Sequence, residues 1–259
     1  MKKTYRYLFT VMLAFALGAC GTPKVSPQQE NALGERQAKE ILSKAKLSKN
    51  PTYNRAVRRV GSRIARVANR PDFRWRYHVI DSKQANAFVL PGGKIFVYSG
   101  LFKYARNDAE LAAVIGHEVA HALKSHGIQG AQRRQNAALV GALLQVGLGV
   151  AGVDPAIANT VNQAYGYGAT YGYIHPYSRE KEMEADSIGL YLMAKAGYDP
   201  RAALSFWERF GKQGQRVPEF FSTHPSSAHR IANLKKLMPQ ALAIYRKSTG
   251  KSAYYARRR

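Results

Sequence analysis

The 259-residue chain holds a single cysteine, Cys20, so no intramolecular disulfide framework can staple its fold. Acidic residues are scarce as well, 16 against 40 lysines and arginines, leaving a formal net charge of +24. A chain so basic is drawn to anionic surfaces such as lipid head groups, acidic polymers or nucleic acid. It also lacks a long apolar run: the stretch from Leu8 to Leu17 is too short to cross a bilayer as a permanent helix. Hydrophobic residues at 46% and charged residues at 22% nevertheless exclude a disordered chain. The length suffices for one sizeable core with extensions.

The ends read as extensions. Lys2, Lys3 and Arg6 precede the short apolar run, and Leu17-Gly18-Ala19-Cys20 closes it. This is the pattern of a secretory leader whose end resembles a bacterial lipobox, with 1–19 as signal peptide and Cys20 as the lipidated first mature residue. Residues 20–36, rich in Pro, Ser, Gln and Gly, read as a flexible tether, and 37–240 as the folded domain. The segment 241–259 carries six basic residues, including Arg257, Arg258 and Arg259, and no acid; it reads as a disordered tail that touches anionic lipid or cell-wall polymer. A leader of this kind argues against a nucleic-acid partner, which charge alone would suggest.

The domain is organised around Asn107 to Gly127, NDAELAAVIGHEVAHALKSHG. Asn107 with Glu110 forms a capping pair, Gly127 is a plausible stop, and Leu111, Val114, Ile115, Val119 and Ala122 follow helical spacing. Within it, His117 and His121 stand four residues apart and share one face, so both rings can offer nitrogen to one zinc ion. Glu118 lies one residue round, where its carboxylate reaches an attacking water without being a ligand.

Before this helix, Pro51 opens another over 51–69, with Val57, Val60, Ile64 and Val67 on one side and Arg55, Arg59, Arg63, Arg66 and Arg70 on the other. The arginine stripe reads as a solvated face, with attraction to an anionic membrane as the alternative. Phe73 to Val79 alternates as a half-exposed strand, and 86–90 and 94–98 form a hairpin about Pro91-Gly92-Gly93. In zinc peptidases an exposed sheet edge beside the metal commonly takes an extended peptide by strand addition, which makes Asn86 and Ala87 candidate substrate contacts. His78 reads as a surface residue.

After the metal helix, 137–153 is apolar and rich in small residues, a buried or membrane-facing helix. The Gly/Tyr-rich stretch 164–177 reads as a loop, either a lid over the cleft or a plain connector, with His175 inside it. Ser178 caps the next helix, which Gly197 and Pro200 close. That helix carries Glu180, Glu182, Glu184 and Asp186. A zinc hydrolase needs a third protein ligand with a position left open for water, and a glutamate here suits it. Glu182 has an acid on the same face four residues on, Asp186, able to accept the distal N–H of a ligand histidine; Glu180 and Glu184 are its rivals.

H-E-V-A-H, followed about sixty residues later by S-R-E-K-E-M-E-A-D, together with N-A-F-V-L-P-G-G-K-I-F-V-Y-S-G-L at 86–101, resembles the HtpX/CAAX prenyl endopeptidase-type gluzincin metallopeptidases over roughly 50–235. The leader resembles the periplasmic lipoprotein branch, which includes LoiP and BepA. The resemblance implies an α+β fold: a mainly helical zincin-type domain with a small β-sheet before the active-site helix. It implies one Zn2+ per chain on His117, His121 and Glu182, with Glu118 catalytic and Asp186 orienting a ligand histidine, His117 by preference.

S-T-H-P-S-S-A-H-R, residues 222–230, also resembles this branch, and implies that His224 approaches the zinc or assists the transition state, that Arg230 lies near the site, and that His224 or Arg230 stabilises the tetrahedral oxyanion as a catalytic residue. A last helix over 226–237 stops at Pro239, while His126 reads as structural and His229 as packing or solvent-facing. The implied activity is endopeptidase cleavage of misfolded or stalled envelope proteins at the periplasmic face of the outer membrane, with outer-membrane assembly machinery as a possible partner. The rival reading keeps zinc in an assembly or quality-control factor with little or gated proteolysis.

Overall fold

The computed structural model describes residues 25–169, 175–212, 224 and 228–256. The chain divides into two units, Ser26–Gly127 with Arg179–Arg259 and Met1–Val25 with Ile128–Ser178. Cys20 and the leader lie outside the described residues.

Folded structure begins earlier than composition suggests. Helix α1 spans Pro27–Lys44, started by a reciprocal capping box between Ser26 and Gln29 and by Pro27 in its first turn. The tether expected over 20–36 is therefore cut short. The Pro, Ser and Gln that looked like linker are helix-start chemistry, and Glu30, Asn31 and Gly34 are buried.

Helix α2, Pro51–Ala68, is capped by Asn50 and ended by Asn69 in the left-handed region. It buries Val57, Val60 and Ile64. Its arginine face is partly spoken for: Arg59 pairs with Asp108 at 2.7 Å and Arg63 lies over the Tyr198 ring. Arg70, just beyond the helix, bonds Glu30 and Asp72.

Strands β1 (Arg76–Ile80), β2 (Ala87–Leu90) and β3 (Lys94–Tyr98) form a sheet of order β1-β3-β2, β3 parallel to β1 and antiparallel to β2. The β2–β3 turn uses Gly92 and Gly93, both at positive φ, where a side chain would meet Asn31 and Trp75. His78 is half-buried and stacks on Phe96.

After a 3-10 turn at Ser99–Lys103 comes α3, Asp108–Leu123, with Asn107 accepting from the Glu110 N–H at 2.9 Å. All but four of its residues are buried. It ends sooner than expected: the break falls at Lys124–Ser125, with Ser125 at φ +52°, and Gly127 belongs to the next helix.

Helix α4, His126–Val150, and α5, Pro155–Ala169, make up a hairpin. Tyr165 donates its hydroxyl to the Ala137 carbonyl at 3.0 Å and packs on Gly141, so tyrosine and glycine here serve helix pairing. The loop expected over 164–177 is mostly helical for that reason; residues 170–174 lie outside the described set, as does the His175 side chain. The segment 137–153, read as buried or membrane-facing, exposes Leu139, Leu143, Val146 and Val150 on α4, and Ile157 and Val161 on α5 are exposed as well. Among the described residues, no helix is long and apolar enough to cross a membrane.

Helix α6, His175–Lys195, begins before Ser178, which is thus internal and not a cap. It closes with Gly197 at φ +81°. Helix α7, Arg201–Gly211, adds Phe206, Trp207 and Phe210 to the core. Helix α8 runs from Ala228 to Ala256, through Pro239. A mid-helix proline forfeits a backbone hydrogen bond at about 3 kcal/mol. The burial of Ala241 and the packing of Ile244 and Tyr245 on the core carry the helix past it. The tail expected from 241 is thus helical through Ala256, and only 257–259 lie outside the description.

Candidate metal centre

The centre is built where α3 and α6 cross. Their backbones meet at glycines: a Cβ on Gly116 would stand 2.9 Å from the Gly189 carbonyl oxygen, and one on Gly189 would stand 2.8 Å from the His117 nitrogen. That approach sets Glu182 and Asp186, one turn apart on α6, against the His117–His121 face of α3.

Four side chains converge. His117 Nε2 stands 3.1 Å from His121 Nε2 and 3.2 Å from His224 Nδ1. Glu182 stands 3.3 Å from each of His117, His121 and His224. A tetrahedral site with zinc–ligand bonds of about 2.0–2.1 Å has donor–donor edges of about 3.3 Å. The histidine–histidine edges at 3.1 and 3.2 Å approach that figure, those to Glu182 are shared between its two oxygens, and one donor atom from each residue lies within 4.8 Å of the others, so the donor set fits zinc.

The surroundings fix the rings. Asp186 Oδ1 lies 2.9 Å from His117 Nδ1, which leaves Nε2 of that ring for the cluster. Arg230 grips Asp186 through Nε at 2.6 Å and a second nitrogen at 2.8 Å, and reaches Glu182 at 3.1 Å. Its guanidinium bridges two buried carboxylates, which suits a positioning group. Trp207 lies beneath, its ring centroid 5.4 Å from that of His117.

Burial opposes charge on His117, yet Asp186 and Glu182 outweigh it and raise the ring to about 9. Glu182 and Asp186 are both held below the usual carboxylate range: burial opposes this, but the histidines and, for Asp186, Arg230 prevail. Glu118 behaves in the opposite way. Burial pushes its carboxyl up to about 7, against the pull of His117 and His121. Its Oε1 is buried without a hydrogen-bond partner among the described residues, with His224 Nε2 nearest at 3.4 Å.

Other candidates fall elsewhere. Glu180 is exposed and Glu184 is engaged by Lys124, Lys181 and His126, so neither rival joins the cluster. Asn86 is half-buried, with Oδ1 accepting from the Ala87 N–H at 2.9 Å, and Ala87 is 1% exposed. Strand β2 does lie at a sheet edge, with β3 as its one strand neighbour. His126, read from sequence as structural, sits against His121. The break at Ser125 turns it back, where a straight helix would carry it about 140° away.

Residues 51–238 match peptidase family M48. The chain belongs to that family. It is 35% identical over 224 residues to mitochondrial metalloendopeptidase OMA1 of Schizosaccharomyces pombe, spanning 84% of this chain and 63% of that one. Similarity to the Arabidopsis thaliana protein of the same name is 41% over 175 residues, 66% of this chain and 34% of the relative. The beta-barrel assembly-enhancing protease of Yersinia pestis is 29% identical over 237 residues, 87% of this chain and 48% of that protein. The chain thus spans between a third and two thirds of these relatives. Membership of M48 makes this a metallopeptidase domain, and its cofactor is zinc.

Proposed function

We propose that the protein is a zinc-dependent endopeptidase of the bacterial cell envelope that hydrolyses misfolded or stalled envelope proteins. The observation that carries the peptidase part is the buried, unpartnered Oε1 of Glu118 beside a zinc-shaped donor cluster. His117, His121 and Glu182 hold the ion. When bound, zinc supplies Lewis acidity to the scissile carbonyl and the attacking water. Glu118 takes the water's proton and passes it to the leaving amine. Asp186 keeps His117 in its ligating tautomer and Arg230 holds Asp186 and Glu182 in place. His224 would assist a developing oxyanion. The substrate chain adds to the edge of β2, beside Asn86 and Ala87.

The envelope assignment is supported by the leader ending at Cys20 and by the beta-barrel assembly-enhancing protease among the relatives; the OMA1 relatives are mitochondrial. We place the protein in the periplasmic lipoprotein branch, lipid-anchored at the periplasmic face of the outer membrane. Its basic surface and the exposed apolar residues of the α4–α5 hairpin lie against that membrane.

One observation favours a second state. His224 Nδ1 sits among the other donors and fills the corner that an attacking water needs. A centre held this way is closed, as suits a gated protease or a zinc-binding assembly factor. Hydrolysis of a chemically unfolded protein by the zinc-loaded parent, Glu118→Gln and His224→Ala separates the readings. An active parent with a silent Glu118→Gln marks an open peptidase. A silent parent awakened by His224→Ala marks a gated one. Silence in all three, zinc bound, favours the assembly factor.

A further inference from the structure

The two ligand histidines of α3 are held differently. His117 has a carboxylate directly behind it. Behind His121 stands another histidine: His126 Nδ1 lies 2.9 Å from His121 Nδ1. Beyond that, His126 Nε2 lies 3.1 Å from Glu184 Oε2. Glu184 is in turn held by Lys124 at 2.9 Å on Oε1 and Lys181 at 2.9 Å on Oε2.

The protons run one way along this line. A His121 ring that offers Nε2 to a metal carries its proton on Nδ1. That proton is donated to His126 Nδ1, which must therefore be bare. His126 then carries its own proton on Nε2 and donates it to a carboxylate kept anionic by two lysines. Each donor faces one acceptor, so the order of tautomers is determined from the Glu184 end.

The line depends on the chain break between the helices. Ser125, at φ +52°, turns His126 back towards His121, and its hydroxyl bonds Glu30 of α1. Glu30 is itself buried and paired with Arg70 at 2.9 Å.

We infer that His126 and Glu184 are positioning residues for zinc binding, fixing the tautomer and orientation of His121 through an interposed histidine. Carboxylates and other acceptors behind ligand histidines commonly contribute 10–100-fold to metal affinity. The inference rests on His121 being a ligand.

Competition with a chelator on the full-length protein measures zinc affinity and the rate of zinc loss, independently of proteolysis. His126→Phe keeps ring volume but cannot accept a proton, so affinity falls about 10–100-fold while the zinc-free protein stays folded by circular dichroism. His126→Asn restores an acceptor and recovers part of the loss. Glu184→Gln weakens binding less in the parent and adds nothing in the His126→Phe background, since the line is already cut. Parental affinity in His126→Phe, or losses that simply add, would overturn the inference. Should His126→Phe not fold, parental affinity and zinc-loss rate in Glu184→Gln overturn it alone. His121→Ala is the control: if it retains zinc, the ligand reading itself fails; if it loses zinc while His126→Phe does not, only the positioning inference falls.

Discussion

At the scale of single residues, the centre is costly to fold around. Glu118 is 3% exposed and has its carboxyl pushed up to about 7 from 4.5, chiefly by burial. A carboxyl raised in the fold carries no penalty below its unfolded value, a growing one between about 4.5 and 7, and the full one above. The metal-free protein is therefore stabilised by Glu118→Gln at pH 8, on the order of 2–3 kcal/mol, and much less at pH 5. Thermal unfolding of the two metal-free proteins at both pH values checks this; an equal gain at both would show that the charge of Glu118 is not what burdens the fold. The same substitution abolishes the proposed proton transfer, so stability and activity move in opposite directions at one atom.

At the scale of elements, two helices must touch for the ligands to meet. An alanine in place of a helical glycine ordinarily gains up to about 1 kcal/mol. At Gly189 the added carbon meets backbone of His117 at 2.8 Å, which cannot yield as a flexible side chain would. Overpacking of 1–3 kcal/mol then wins, and Gly189→Ala is expected to lose about 1–2 kcal/mol net and to bind zinc more weakly, because Glu182 and Asp186 ride on the displaced helix. Gly149→Ala on α4, where nothing lies within 4 Å, is the matched control and should be neutral or stabilising. Denaturant unfolding and chelator competition on the pair decide the point. The elements around this crossing were legible from local chemistry. Pro51 as a helix start, Asn107 as a cap, the Gly92–Gly93 turn and the Gly197 stop all act within a few residues of themselves. Where local chemistry misled, distant packing was the cause. Pro239 looks like a stop until Ala241, Ile244 and Tyr245 find the core. Tyr165 looks like loop until Ala137 and Gly141 receive it.

At the scale of the whole molecule, a net charge of +24 coexists with a hairpin that exposes several large apolar residues. For the proposed membrane attachment this predicts two separable contributions. Sedimentation with vesicles containing anionic phospholipid should show binding that falls as salt rises, since exposed charges are screened beyond about 10 Å at 0.1 M. Leu143→Asn with Val146→Asn should weaken the salt-resistant remainder and leave the salt-dependent part in place. Binding insensitive to both salt and these changes would remove the protein surface from the proposal and leave the lipid alone.

The sequence by itself determined the ligand pair and the base, because residues at i, i+1 and i+4 of a helix are placed by the helix alone. It also determined the short strands, the Asn107 cap and the imbalance of charge. What it left open was every relation across the chain: which of three glutamates on α6 reaches the cluster, that Arg230 is spent on Asp186 and Glu182, and that His224 enters among the donors from 42 residues beyond Glu182. The role of His126 was hidden for the same reason. Its distance from His121 in sequence implies the wrong face of a straight helix, and only a break at Ser125 held by α1 turns it round. Local periodicity encodes faces, whereas contact between faces is a property of packing, and that is decided only when the elements meet.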